Sequence, residues 1–427
     1  MSLPESIISQ YNAILREELL VAMGCTEPIA IAYAGAILRS TLGVNPERMR
    51  IRLSGNIIKN VKSVIVPGTG GLHGIEAAVS AGIIANCPEK GLEVLSVLKK
   101  ADHAAIAAFC KHCIFSVEEM VSEYAFDMIL EGYAGGDSAL VRICKNHTNV
   151  VQIRFNDTDC TTESLRRMEE SEQRLTDRGC LNVQDIVTFA NEADLTAVRH
   201  LLMRQMEMNM AIAKEGLRGD WGASIGKVLY RQGEASLRDR ARAMAAAGSD
   251  ARMSGCEMPV AIISGSGNQG MTASIPVVVY AQALNVDEDK LLRALVVSDL
   301  ITIHQKTGIG CLSAYCGAIS AGCGAGCGIA YLYGGGYYEI AHTLVNAVAI
   351  LSGTICDGAK PSCAAKIAMA VEAGIMGFEM MRAGHQFYGG DGIITKGVEN
   401  TIRNIGKLAR DGMSETDKEI IRIMLGC

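Results

Sequence analysis

Residues 307–338 read TGIGCLSAYCGAISAGCGAGCGIAYLYGGGYY, and how this uncharged stretch is placed decides the fold. It runs for roughly thirty residues, longer than the ~20 that cross a bilayer. Its composition argues against a membrane span. The residues are mostly Gly, Ala, Ser and Cys with few large aliphatics, glycines at 334, 335 and 336 break it, and Lys306 stands at one edge without a paired basic flank. The stretch predicts a buried pair of helices in a soluble core, packed closely through small side chains.

Outward from there, residues 186–189, 195–210, 291–303, 340–351 and 364–381 also carry helical periodicity. At the other end, Ile8, Tyr11, Ile14, Leu15, Leu19 and Leu20 recur at three and four residues, so 5–23 is expected to be a helix with Pro4 at its first turn. A different period follows. Met49, Ile51 and Leu53 alternate with Arg50 and Arg52, a half-buried strand ended by Ser54-Gly55-Asn56, and Val151, Ile153 and Phe155 repeat the pattern. Small-residue helical stretches at 74–85 and 104–113 lie between them. The expected fold class is therefore α+β. A mainly helical catalytic domain, 161–427, carries a smaller α+β domain, 42–160, inserted after N-terminal helices, 1–41, that pack with the helical domain.

Composition narrows the function. Hydrophobic residues are 49% and charged residues 20% of the 427, which is the balance of a globular chain able to bury a large core. The formal net charge of -6, with no run of Lys or Arg, removes the electrostatic basis for nucleic acid or an anionic membrane surface. A small substrate is left open, and a homo-oligomer is compatible with the sequence. Pro4 and Glu5 enter a helical pattern directly, without a basic and then apolar leader, so a cytoplasmic location is expected. In that compartment the 15 cysteines stay reduced, and some are available for metal binding or catalysis.

Most of them, including Cys87, Cys110, Cys113, Cys144, Cys160, Cys180 and Cys256, sit singly in apolar surroundings and read as small hydrophobes. Cys356 and Cys363 flank a loop containing Gly358 and Pro361, so the chain can fold back and present both thiolates to one centre. Cys363 opens a helix and Cys25 precedes Thr26-Glu27-Pro28 at the start of another. Both thiols are expected to be acidified by a helix N-terminus, which would make Cys25 a usable base. Cys311, Cys316, Cys323 and Cys327 share one glycine-rich region, where packing competes with a zinc site. Spacing alone matches neither a ferredoxin run nor a zinc finger.

The segments Gly24-Cys25-Thr26-Glu27-Pro28, Leu53-Ser54-Gly55-Asn56, Val66-Pro67-Gly68-Thr69, Ser264-Gly265-Ser266-Gly267-Asn268-Gln269-Gly270, Ser313-Ala314-Tyr315-Cys316-Gly317 and Cys356-Asp357-Gly358-Ala359-Lys360 together carry a resemblance. From end to end the chain resembles the L-cysteine desulfidase family and, more distantly, the α subunit of iron-sulfur L-serine dehydratases. The resemblance implies a [4Fe-4S] cluster held by Cys316, Cys356 and Cys363, with one iron left open, and it gives Cys25 the proton-accepting role. It implies α,β-elimination of L-cysteine to pyruvate, ammonia and sulfide, or L-serine dehydration by the same route. A protein that binds cysteine, or a metal-thiolate redox protein without turnover, is the alternative of a different class.

A small amino-acid substrate needs donors for its carboxylate. Backbone N–H groups of Gly265, Ser266, Gly267 and Asn268, which follow an apolar strand-like stretch at 259–263, are expected to cradle it, with Asn56 and Thr69 in comparable loops. The same loop spells G-x-G-x-x-G, but a dinucleotide-binding fold is set aside. Pro276 is expected to interrupt the helix that such a fold requires, and no repeated βαβ pattern surrounds it. His304, alone near a helix end, reads as structural. Cys427, at the end of the sequence, is a tail thiol that could occupy the open iron.

Overall fold

A computed structural model describes residues 3–161, 175–230, 235–310 and 312–425. Cys311 and Cys427, and whatever they do, lie outside the described residues. The protein is a mainly helical α+β structure with two sheets. None of its described helices is long and apolar enough to cross a membrane.

The larger core is helical. The helix Gly317–Leu332 runs through it with every residue from Ala318 to Leu332 buried. Its glycines let neighbours approach to backbone distance: a Cβ on Gly322 would lie 2.2 Å from the Ala370 carbonyl oxygen, and one on Gly326 would lie 2.4 Å from that of Gly374. Those partners belong to the helix Cys363–Arg382. On another side, a Cβ on Gly324 would lie 2.5 Å from the Ser298 carbonyl oxygen of the helix Glu288–Ile309. The uncharged stretch thus holds one complete helix and not the expected pair, and its middle, 318–332, is buried by helices of its own chain.

The smaller core lies on a six-stranded sheet. Strands β2 (Arg48–Leu53), β3 (Ile114–Glu119), β4 (Asp127–Ala134), β5 (Asp137–Cys144), β6 (Val150–Phe155) and β7 (Thr158–Asp159) are ordered β3-β2-β4-β5-β6-β7. Only β2 and β3 are parallel. Met49, Ile51 and Leu53 of β2 are fully buried, as their alternation predicts. The helix Thr26–Leu42 packs on this sheet, where Leu38 meets Gly132 of β4. It also crosses the helix Ile75–Ala85 so closely that a Cβ on Gly82 would lie 1.9 Å from the Ala32 carbonyl oxygen.

The two N-terminal helices divide between the cores. Glu5–Glu18 buries Tyr11, Ile14 and Leu15 in the helical core, whereas Thr26–Leu42 belongs to the sheet core. The expected single helix over 5–23 is shorter than its periodicity suggests. Leu19 leaves helical dihedrals, and β1 (Val21–Met23) pairs antiparallel with β8 (Pro259–Ala261). Strand pairing overrides helical periodicity there.

Pro276 also departs from expectation, because the helix Gly267–Leu284 continues through it. The missing N–H removes the helical donor of the Thr272 carbonyl, four residues before it, and one residue further on the Ser298 hydroxyl of the neighbouring helix donates to the Ala273 carbonyl at 2.8 Å.

Candidate functional site

Residues 314–316 and 354–356 run antiparallel for a few residues. The Cys316 amide donates to the Thr354 carbonyl at 3.0 Å and the Cys356 amide to the Ala314 carbonyl at 2.6 Å, around a bridge between Tyr315 and Ile355. This pairing brings two distant cysteines together, and their thiols share a hydrogen bond. That bond pushes the Cys316 thiol up and pulls the Cys356 thiol below its ordinary value, Lys59 and the Gly358 amide adding to the latter effect against burial. From Cys356 the chain turns at Gly358, whose φ of 90° and close approach to the Lys59 carbonyl admit only glycine, and reaches Cys363 at the start of its helix. The Cys363 thiol donates to the Gly358 carbonyl at 3.6 Å.

These three cysteines and Cys25 line one cavity of about 100 Å³, together with Glu27, Lys59, Asn60, Arg252, Ser266, Asn268, Gln269, Lys306, Tyr315 and Lys366. Four helices begin at its wall: Thr26–Leu42 after Cys25, Gly267–Leu284 after Ser266, Gly317–Leu332 after Cys316, and Cys363–Arg382. Their free N–H groups and positive ends, with Lys59, Arg252, Lys306 and Lys366, make the cavity a place for anions.

Cys25 is held from the β1 side. Gly24, at φ 72°, turns the chain where a side chain would strike Pro67 at 2.4 Å, so the two motifs that contain them meet at this turn. The Cys25 thiol donates to Glu27 Oε2 at 3.2 Å, and Asn60 Nδ2 donates to Glu27 Oε1 at 3.1 Å. The Thr26 hydroxyl lies 2.8 Å from the Gly265 carbonyl oxygen, tying the Cys25 turn to the 265–268 loop.

The expected acidification of Cys25 and Cys363 is overturned. Burial pushes Cys25 well up, with the Glu27 charge next in size and Arg252 opposing, and burial is also the main cause of the rise at Cys363. Magnitudes explain the outcome. A helix N-terminus contributes about 0.3–1 kcal/mol, less than one pKa unit, whereas full burial shifts a group by ~3–5 units. Cys25 is therefore a thiol at rest with a carboxylate placed to take its proton.

Of the residues expected to bind substrate, Ser266 and Asn268 line the cavity, while Gly265, Gly267, Asn56 and Thr69 do not. Thr69 is buried and occupied locally: its hydroxyl donates to the Val66 carbonyl at 2.6 Å and accepts from the Leu72 amide at 3.1 Å. Asn56 stands in the first turn of the helix Gly55–Val61 with its buried Oδ1 unpaired. Glu27, Lys59, Asn60, Arg252, Gln269 and Lys366 are wall residues that sequence analysis did not single out; Glu27 and Gln269 lay inside quoted motifs. His304 is not a wall residue and bonds Glu399 at 2.7 Å. Cys323 and Cys327 lie inside their helix, with the Cys327 thiol donating to the Ile340 carbonyl at 3.6 Å.

Among the described residues no three His, Cys, Asp or Glu side chains close on one point as a single metal ion requires. The thiols of Cys316, Cys356 and Cys363 are instead spread over a wall. That donor set fits a polynuclear iron-sulfur group, whose irons take soft thiolates one apiece. Lys59, Lys366 and the helix N-termini would supply positive charge to such a group.

Comparison with known proteins agrees on kinship. A UPF0597 protein of Desulfitobacterium hafniense is 54% identical over 97% of this chain and 96% of its own length. UPF0597 proteins of Treponema denticola and Shewanella baltica are 44% and 36% identical, over 100% of both chains in the first case and 97% and 98% in the second. Residues 89–422 match the family described as serine dehydratase alpha chain, a span that includes Cys316, Cys356 and Cys363 and leaves Cys25 outside. The chain belongs to the serine dehydratase alpha chain family.

Proposed function

We propose that this protein is an iron-sulfur lyase that converts L-cysteine to pyruvate, ammonia and sulfide by α,β-elimination, with a [4Fe-4S] cluster on Cys316, Cys356 and Cys363. The observation that carries the reading is the meeting of these three thiols with Cys25 on the wall of one small cavity.

Elimination poses two problems: the Cα proton is weakly acidic, and sulfide leaves badly unless its charge is stabilised. When bound, the cluster supplies a Lewis-acidic iron for the leaving sulfur. The chain's own residues do the rest. Cys25 gives its thiol proton to Glu27 and, as thiolate, takes the proton from Cα. Asn60 fixes Glu27 from the other side, which keeps the accepting oxygen on the thiol. The start of the Gly267–Leu284 helix, with Ser266 and Asn268, faces the substrate's anionic end. The enamine product hydrolyses in water without assistance.

L-serine dehydration is a second reading, favoured by the family to which residues 89–422 belong. Hydroxide and sulfide depart by the same route, so products decide. Protein prepared without oxygen is expected to contain iron and acid-labile sulfide, and to yield pyruvate with sulfide from L-cysteine faster than pyruvate from L-serine. Faster turnover of L-serine would transfer the assignment to dehydration. Iron-bearing protein that releases ammonia from neither amino acid would refute both.

A further inference from the structure

Two cations in the cavity wall have an acid of their own. Lys59 pairs with Asp417, and Lys366 with Asp357. Arg252, at the end of the helix Leu237–Met253, does not. It is 2% exposed, yet among the described residues it forms no ion pair with an Asp or Glu; its Nη1 donates to Asn268 Oδ1 at 3.2 Å, and its buried Nε has no partner. An uncompensated guanidinium in a protein interior is costly.

Its surroundings add to the demand for an anion. A Cβ on Gly267 would lie 2.5 Å from Arg252 Nε, so the guanidinium rests against the first residue of the Gly267–Leu284 helix. Two sources of positive charge therefore stand together at the cavity, whose carboxylate, Glu27, is bonded to Cys25 and Asn60 and not to Arg252. Gln269, also in the wall, has a buried Oε1 without a donor, and its amide lies against Gly317. One unpaired cationic donor and one unpaired neutral acceptor suit a small zwitterion. The Arg252 charge also reaches Cys25, where it favours the thiolate, so an anion held on Arg252 sits near the base.

We propose that Arg252, steered by Asn268 and admitted by the bare Cα of Gly267, anchors the α-carboxylate of the substrate through its planar fork. This rests on the elimination reading above, and it identifies the group by which a small α-amino acid is told from a simple thiol.

The test uses thiols that lack the α-ammonium group of the substrate. 3-Mercaptopropionate carries the carboxylate and lacks the amine; ethanethiol carries neither. Binding to anaerobically prepared, cluster-bearing protein is followed through visible absorption, with protection of Cys25 from iodoacetamide as a second readout. The intact protein is expected to prefer 3-mercaptopropionate by about 30-fold, R252Q to bring the ratio near one, and R252K to fall between, since a lysine keeps charge without the fork. A ratio unchanged in folded, cluster-bearing R252Q overturns the assignment. Should R252Q fail to fold or load, G267A keeps the charge but crowds the guanidinium, and an unchanged ratio there also overturns it. If neither thiol perturbs the absorption but propionate protects Cys25 in an Arg252-dependent manner, the anchor stands and the elimination reading falls.

Discussion

The Cys25 thiol donates a 3.2 Å hydrogen bond to the carboxylate of Glu27, two residues further on. With burial raising the thiol, a nearby proton acceptor is what the base role proposed for Cys25 requires. E27Q keeps the shape and the amide contacts but accepts no proton. It is expected to lower kcat by about 10²–10⁴ with KM changed less than about threefold. Pyruvate release under anaerobic conditions measures both, and a KM effect alone would remove Glu27 from the proton path.

Replacement of Cys316, Cys356 or Cys363 by Ser removes one soft donor from the wall, and each variant is expected to lose iron, acid-labile sulfide and visible absorption. Cys25→Ala should lose turnover and keep all three. Cys323→Ser is the internal comparison, since that cysteine is buried inside its helix away from the cavity. Retention of iron by C356S would break the ligand assignment.

Asp299, fully buried, accepts from Gln205 Nε2 at 3.0 Å, while its own Oδ2 and Gln205 Oε1 lack partners. A proton on Oδ2 would satisfy both atoms, and burial pushes the carboxyl up to about 7. The sign follows from linkage: below about pH 4 both folded and unfolded forms hold the proton. Between about pH 4 and 7 only the folded form does, so the stability that this proton confers is lost as pH rises through the folded value. D299N supplies the donor permanently. Relative to the parent, its stability is expected to rise from pH 4.5 to 7.5 by an amount on the order of a few kcal/mol, read by urea unfolding.

A Cβ on Gly374 would lie 2.1 Å from the Gly322 carbonyl oxygen, where two helices cross. G374A is expected to cost about 1–3 kcal/mol or more, because the obstruction is backbone. Gly136, with open space around its Cα and no positive φ, should tolerate alanine within about 0.5 kcal/mol. Thermal melting of the two variants makes the comparison.

Much of this was legible in the sequence. The alternation at 49–53 and the thiol-bearing loop at 356–363 each have a local cause and give the element expected, whereas the uncharged stretch 307–338, expected as a helix pair, holds one complete helix. Strand β5 is not legible, since it buries Ala139, Leu140 and Val141 in succession, and β4 hides its alternation by carrying the apolar Ile129 between buried Met128 and Leu130. The wall residues Lys59, Asn60 and Arg252 were invisible for another reason. They stand on ordinary helical segments, and only the packing of two cores turns them toward one space. Thr69 shows the converse, a motif residue whose hydroxyl is spent on its own turn.

The wall draws on both cores: Glu27, Lys59 and Asn60 come with the helices of the sheet unit, while Cys316 and Gln269 come with the helical bundle. Neither half of the polypeptide can hold the complete set of reactive groups while the other is unfolded. Competence for chemistry is thus a late event in biogenesis, reached only once segments hundreds of positions apart have docked.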